Sequence, residues 1–239
     1  MCGRFVAASD PDQLAAWFDV DDRRTDALPV SYNVAPTMPV YAVTEHADHR
    51  YLVSFRWGLV PTWSDDPKSG ARMINARSET VADKPAYRTA LRRRRCIIPA
   101  DGFYEWRTHP HGKTPYYIHR ADGRPLAFAG LWEGWKSPDG EWLRTCAIIT
   151  GVADERLTDL HPRMPIILRP DTWEVWLDRA ERRPDAVLDL LVDPDVDHLS
   201  WHAVGDRVNH VRNDDPALIE PAARRSTASD ATAHFDTST

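Results

Sequence analysis

Four residues in this sequence are of types, and in settings, that covalent chemistry uses. Cys2 follows the initiator methionine in MCGRF. Removal of Met1, favoured by a small second residue, would leave an amine and a thiol on adjacent carbons. Their ordinary pKa values are about 7.7–8.0 and 8.5, within reach of the nucleophilic forms near pH 7. Such a 1,2-aminothiol condenses with aldehydes: the amine gives a Schiff base and the thiol closes on it to a thiazolidine. The same pair can instead serve N-terminal-nucleophile hydrolysis, and a cysteine merely tolerated near a loose terminus is the plain alternative.

Asn75 and Arg77 alternate in INARSET, so an extended segment would put both on one side. Asn can hold an amine or a carbonyl and Arg can clamp a phosphate, though turn and cap chemistry would also use these residues. Glu105 lies between aromatics in GFYEW, directly after the apolar CIIPA. Desolvation there would raise its pKa and suit general acid–base work; a solvent-facing strand glutamate is the rival reading. His161 precedes a proline-stiffened turn and Arg163 in HPRMP, a pattern for a proton donor beside an anion clamp or for a structural histidine.

The elements that must position these residues read as one domain of mixed, largely antiparallel α+β type, with a barrel-like sheet and flanking helices. DPDQLAAWF has the N-cap and proline of a helix start. MPVYAVTE and YLVSFRW form a hairpin, and CIIPA, TPYYIHR, PLAFAGLW, WLRTCAIIT and MPIILR are further strands. Helices are expected over 85–94, 154–160, 172–178 and 185–191. Arg92 to Arg95 would point all round a helix, so they read as a solvated helix end rather than a nucleic-acid patch. The domain is read as residues 1–221, with a disordered tail over 222–239.

Ten tryptophans and a 42% hydrophobic fraction fit a folded chain. No apolar run is long enough to span a bilayer, and the start lacks a signal-peptide core, so a soluble cytoplasmic protein without a membrane partner is expected. Cys96 and Cys146 sit in apolar runs and read as packing residues, and no cysteine pair suggests a metal site. Net charge is −6, yet residues 1–170 carry 23 Lys and Arg against 21 Asp and Glu, so the acidity belongs to the C-terminal third. A basic face on the N-terminal body is therefore compatible with the composition.

Taken together and in this order, MCGR (1–4), YNVAPT (32–37), WGLVP (57–61), INARSET (74–80), GFYEW (102–106) and HPRMP (161–165) resemble the SOS response-associated peptidase (SRAP) family. The resemblance implies a single α+β domain with an antiparallel, barrel-like core. It implies a monomer that senses abasic sites in single-stranded DNA, nucleoid-associated when bound, and crosslinks to them through mature Cys2. Asn75 would hold the Cys2 amine, Glu105 would shuttle protons, and His161 would assist sugar ring opening and Schiff-base formation. Self-removal of Met1 and weak strand cleavage by β-elimination are further implied activities. Arg4, Asn33, Arg77, Thr150 and Arg163 would contact phosphates, and Pro36 and Trp63 would wedge and stack beside the lesion. Some relatives carry two adjacent tryptophans where this chain has Trp63 and Ser64. No cofactor or metal is called for. The competing readings are an N-terminal-thiol peptidase or amidohydrolase and a DNA-binding module in which Cys2 is incidental.

Overall fold

The computed structural model describes residues 2–222. Met1 and most of the expected tail, from residue 223, lie outside the described residues.

Strand β1 (Phe5–Ala7) leads into helix α1 (Pro11–Trp17), where the Asp10 side chain accepts the Asp12 N–H and Pro11 takes a first-turn position. β2 (Asp22–Arg23) and β3 (Ser31–Val34) follow. β4 (Pro39–His46) and β5 (His49–Trp57) form the expected hairpin. Its turn holds Ala47 and Asp48 at φ 52° and 58°, the left-handed pair that a two-residue type I′ turn requires. Next come β6 (Asn75–Arg77), α2 (Arg88–Arg93), β7 (Arg95–Ala100), β8 (Gly102–His109) and β9 (Gly112–Arg120). β10 (Leu126–Lys136), β11 (Trp142–Val152), β12 (Arg163–Pro165), α3 (Trp173–Leu177), α4 (Pro184–Leu188) and β13 (Leu199–Ala203) complete the order.

These strands make an α+β domain of two sheets. The smaller runs β13-β9-β8-β1-β3 and the larger β12-β11-β10-β7-β4-β5-β2. Parallel pairing of Thr145 with Arg56 and Cys146 with Trp57 brings β11 back to β5. That closes β5, β4, β7, β10 and β11 into a five-stranded ring, with β6 added in parallel beside Ile148–Thr150. Because successive side chains leave opposite faces of a strand, β11 serves two cores. Cys146 and Ile148 join Cys2, Phe5, Trp57, Phe103 and Phe128, while Ala147 and Ile149 join Leu14, Phe18, Leu91 and Trp176 from the helices. Cys96 and Cys146 are buried packing residues, as expected.

Some expectations are corrected. Residues 154–160 form successive turns rather than a helix: the N–H groups of Leu157 and Leu160 bond three residues back, to the Asp154 and Leu157 carbonyls, and Pro162 disfavours helical backbone at His161. The helix expected over 85–94 is confined to α2, and only the start of MPIILR joins a ladder, Ile167 making an isolated bridge to Phe128. The arginine run is only half solvated. Arg92 and Arg93 are exposed, but Arg94 pairs with Glu133 at 2.7 Å and Arg95 is buried. Arg95 donates to the carbonyls of Leu91, Trp176, Asp178 and Glu181, satisfying the ends of α2 and α3.

Candidate active site at the N-terminal strand

β1 lies between β3 and β8, with Phe5 opposite both Val34 and Phe103. Aromatic packing anchors it: the Phe5 ring meets Trp57 edge-on at 5.0 Å and Phe128 at 6.1 Å. At its far end the Asp101 carboxylate accepts the N–H groups of Ala8 and Ser9 at 2.6 and 2.9 Å. Cys2, three residues before the first residue of this strand, is thereby held inside the core at 0% exposure.

Asn75 reaches the same point from β6. Its Nδ2 donates to the Cys2 carbonyl at 2.8 Å, which fixes the orientation of the amide because a carbonyl can only accept. Its Oδ1 is buried and has no donor among the described residues. β6 is fastened from behind: the Trp57 indole donates to the Ile74 carbonyl at 3.0 Å and the Tyr87 hydroxyl to the Asn75 carbonyl at 3.1 Å.

Glu105 enters from β8 and is only 5% exposed. Burial raises its carboxyl pKa, while the positive charge of nearby His161 acts in the opposite direction. The Cys2 thiol is also raised, first by burial and then by the Glu105 charge. The thiol therefore stays protonated at neutral pH, with the Arg4 carbonyl 3.9 Å from its sulfur. That corrects the expectation of a thiolate within easy reach.

His161 stands in the turn before β12. Its Nδ1 lies 2.9 Å from the Arg163 carbonyl and 3.1 Å from the Arg163 N–H. Nδ1 can donate to the first when it carries a proton and accept from the second when it does not. The ring thus keeps a backbone partner in either tautomer. Glu105 and His161 share a cavity of about 10 Å³ with Phe103, Leu157 and Met164, room for roughly one water molecule.

Cys2, Asn75, Glu105 and His161 therefore converge, although they come from two strands, the segment before β1 and a turn. The expected phosphate contacts divide. Arg4 donates to Asn33 Oδ1 at 2.7 Å and to the Val208 carbonyl at 3.0 Å, and Asn33 Nδ2 donates to the carbonyls of Val208, His210 and Asn213. That pair ties residues 208–213 to the sheet. Arg163 grips the Glu79 carboxylate with both ends of its fork, at 2.8 and 3.0 Å, and donates to the Thr150 carbonyl at 2.6 Å. Thr150 is fully buried. Arg77 is exposed at the end of β6, Pro36 is half-buried, and Trp63 stands 67% exposed in the loop after β5. Gly58, at φ +124°, starts that loop; a β-carbon there would lie 2.6 Å from the Gly70 carbonyl oxygen.

Sequence reasoning missed Tyr87, Asp101 and Glu79 as supports. Asp101 borders the GFYEW motif and Glu79 lies inside INARSET, so proximity to a motif could have flagged both. Tyr87 carries no local signal.

The SOS response associated peptidase (SRAP) family model matches residues 1–211. The abasic site processing protein YoqW of Bacillus subtilis is 41% identical, the alignment covering 92% of this chain and 99% of that one. The abasic site processing protein HMCES of Gallus gallus is 38% identical over 92% of this chain and 78% of its own. A crystal structure of a Bacteroides thetaiotaomicron protein superposes with a TM-score of 0.81 at 27% identity, covering 93% of this chain and 100% of that one.

Proposed function

The chain belongs to the SOS response associated peptidase family, and from that premise we propose that it processes abasic sites in single-stranded DNA by bonding to them through Cys2. The observation that carries this reading is the Asn75 side chain, half-buried with its Oδ1 fully enclosed. It already holds the Cys2 carbonyl and keeps an acceptor ready for the Cys2 amine once Met1 is removed.

The steps balance without a co-reactant beyond water. Hydrolysis of the Met1–Cys2 bond frees the amine. Asn75 Oδ1 accepts one amine hydrogen and leaves the lone pair for the open-chain sugar aldehyde. Addition gives a carbinolamine, and loss of water gives the Schiff base at C1′. Glu105, whose carboxyl is pushed by burial toward the protonated form, donates to the departing hydroxyl. The Cys2 thiol then adds to the imine carbon and its proton ends on the imine nitrogen, closing the thiazolidine. His161 moves the proton that opens the sugar ring. From the Schiff base, removal of a C2′ proton would give weak lyase activity by β-elimination. The amine leads and the thiol follows, an order that a protonated thiol favours.

Arg77 and Trp63 are the exposed residues suited to phosphate and base, and Arg4, Asn33, Pro36, Thr150 and Arg163 shape the surface around them. Incubation with single-stranded DNA bearing one abasic site should give a species that survives heat and detergent. Cys2→Ala should abolish it, and absence of the species with wild type would sink the reading.

A further inference from the structure

A groove of about 690 Å³ opens where β4, β5, β10 and β11 meet, away from the four converging residues. Phe55 and Trp132 stack in it at 5.4 Å and 25°. Trp142, 67% exposed, forms one wall above Gly134, where a β-carbon would lie 3.4 Å from the indole. Arg56 and Arg144 line it, and neither makes an ion pair or side-chain hydrogen bond among the described residues. Lys136 adds a third cation, 5.9 Å from the Trp142 ring, and no carboxylate lines the groove.

An exposed indole beside uncompensated arginines is the chemistry that holds single-stranded nucleic acid, a base on the ring and phosphates on the cations. Position supports the same occupant. Arg144, Cys146 and Ile148 alternate along β11, so they share the face that carries Cys2, and Ile148 is the register partner of Asn75. Four residues of strand put the groove about 13 Å from that partner. We propose that this groove binds undamaged single-stranded DNA flanking the lesion, giving the protein a grip on the strand separate from its covalent site. The flanking role rests on the reading of Cys2 as the abasic-site nucleophile; binding of undamaged DNA does not.

The test is anisotropy titration of a long undamaged single-stranded oligonucleotide across salt concentrations, with crosslinking of a short abasic oligonucleotide run in parallel. The Arg56→Ala/Arg144→Ala double variant should bind about tenfold more weakly, with a salt slope lower by about two, one per arginine. Trp142→Ala should lose about five- to tenfold in affinity with an unchanged slope. Trp142 and Arg144 are exposed and Arg56 is half-buried without a side-chain partner among the described residues, so folding should survive, and crosslinking of the short oligonucleotide should proceed as in wild type. Unchanged affinity and slope in both variants would overturn the proposal. Failure of wild type to crosslink would remove the Cys2 reading alone, because undamaged DNA binds without it.

Discussion

The Asn75 amide donates to the Cys2 carbonyl at 2.8 Å while its own oxygen stays buried without a donor among the described residues. An unmet buried acceptor costs about 1–3 kcal/mol, so an incoming amine regains interaction energy by docking there. Asn75→Ala removes both contacts and should slow adduct formation about tenfold or more in a gel time course. Asn75→Asp should be slower still at neutral pH, because a carboxylate repels the Cys2 carbonyl and holds the amine as ammonium. Equal rates for all three would show that Asn75 positions nothing.

Glu105 gives a prediction with opposite signs for activity and stability. A carboxyl whose pKa rises on folding holds a proton in the folded chain that the unfolded chain has lost. Stability therefore falls as pH climbs from the ordinary carboxylate value of about 4.3 toward the raised one. Glu105→Gln lacks this loss, so its melting temperature should exceed that of wild type at pH 7 and approach it near pH 4. Its crosslinking rate should drop about a hundredfold, the usual scale for a lost general acid.

Arg163 is held by Glu79, a carboxylate 46% exposed, and the pairing lowers the Glu79 pKa. If Arg163 meets a phosphate it must exchange one anion for another. Glu79→Gln should then strengthen single-stranded DNA binding and steepen the salt dependence by about one ion. The stability cost should stay under about 1 kcal/mol, since a partly exposed pair contributes little. Unchanged DNA affinity would assign Arg163 a purely structural role.

The arginine run separates by burial. Arg95→Ala strips hydrogen bonds from four carbonyls and should cost about 3 kcal/mol or more in urea unfolding. Arg92→Ala and Arg93→Ala, on the exposed side of α2, should stay within about 0.5 kcal/mol. A loss of DNA affinity in the latter two, with stability intact, would revive the nucleic-acid reading of the run.

The hairpin of β4 and β5 was legible because alternating apolar residues and a short polar turn are local signals. Cys2, Asn75, Glu105 and His161 were legible through their motifs, and their convergence is what the fold adds. The closure of β5 on β11 was not legible, since parallel pairing of Arg56 with Thr145 joins distant segments without a local mark. Nor was Arg95, whose burial depends on where α3 ends. The turns at 154–160 misled because their composition and the Asp154 cap suit a helix, while the N–H groups of Leu157 and Leu160 bond three residues back and Pro162 cuts the segment short. The thiol pKa followed from burial of Cys2, which no property of MCGRF announces.

Intact-mass spectrometry of the protein after incubation with a short single-stranded oligonucleotide bearing one abasic site tests the central claim most directly. The account predicts a chain beginning at Cys2 plus the oligonucleotide less one water, formed without reductant and absent from Cys2→Ala. An unmodified chain that begins at Cys2, or an adduct on a chain that retains Met1, would contradict it.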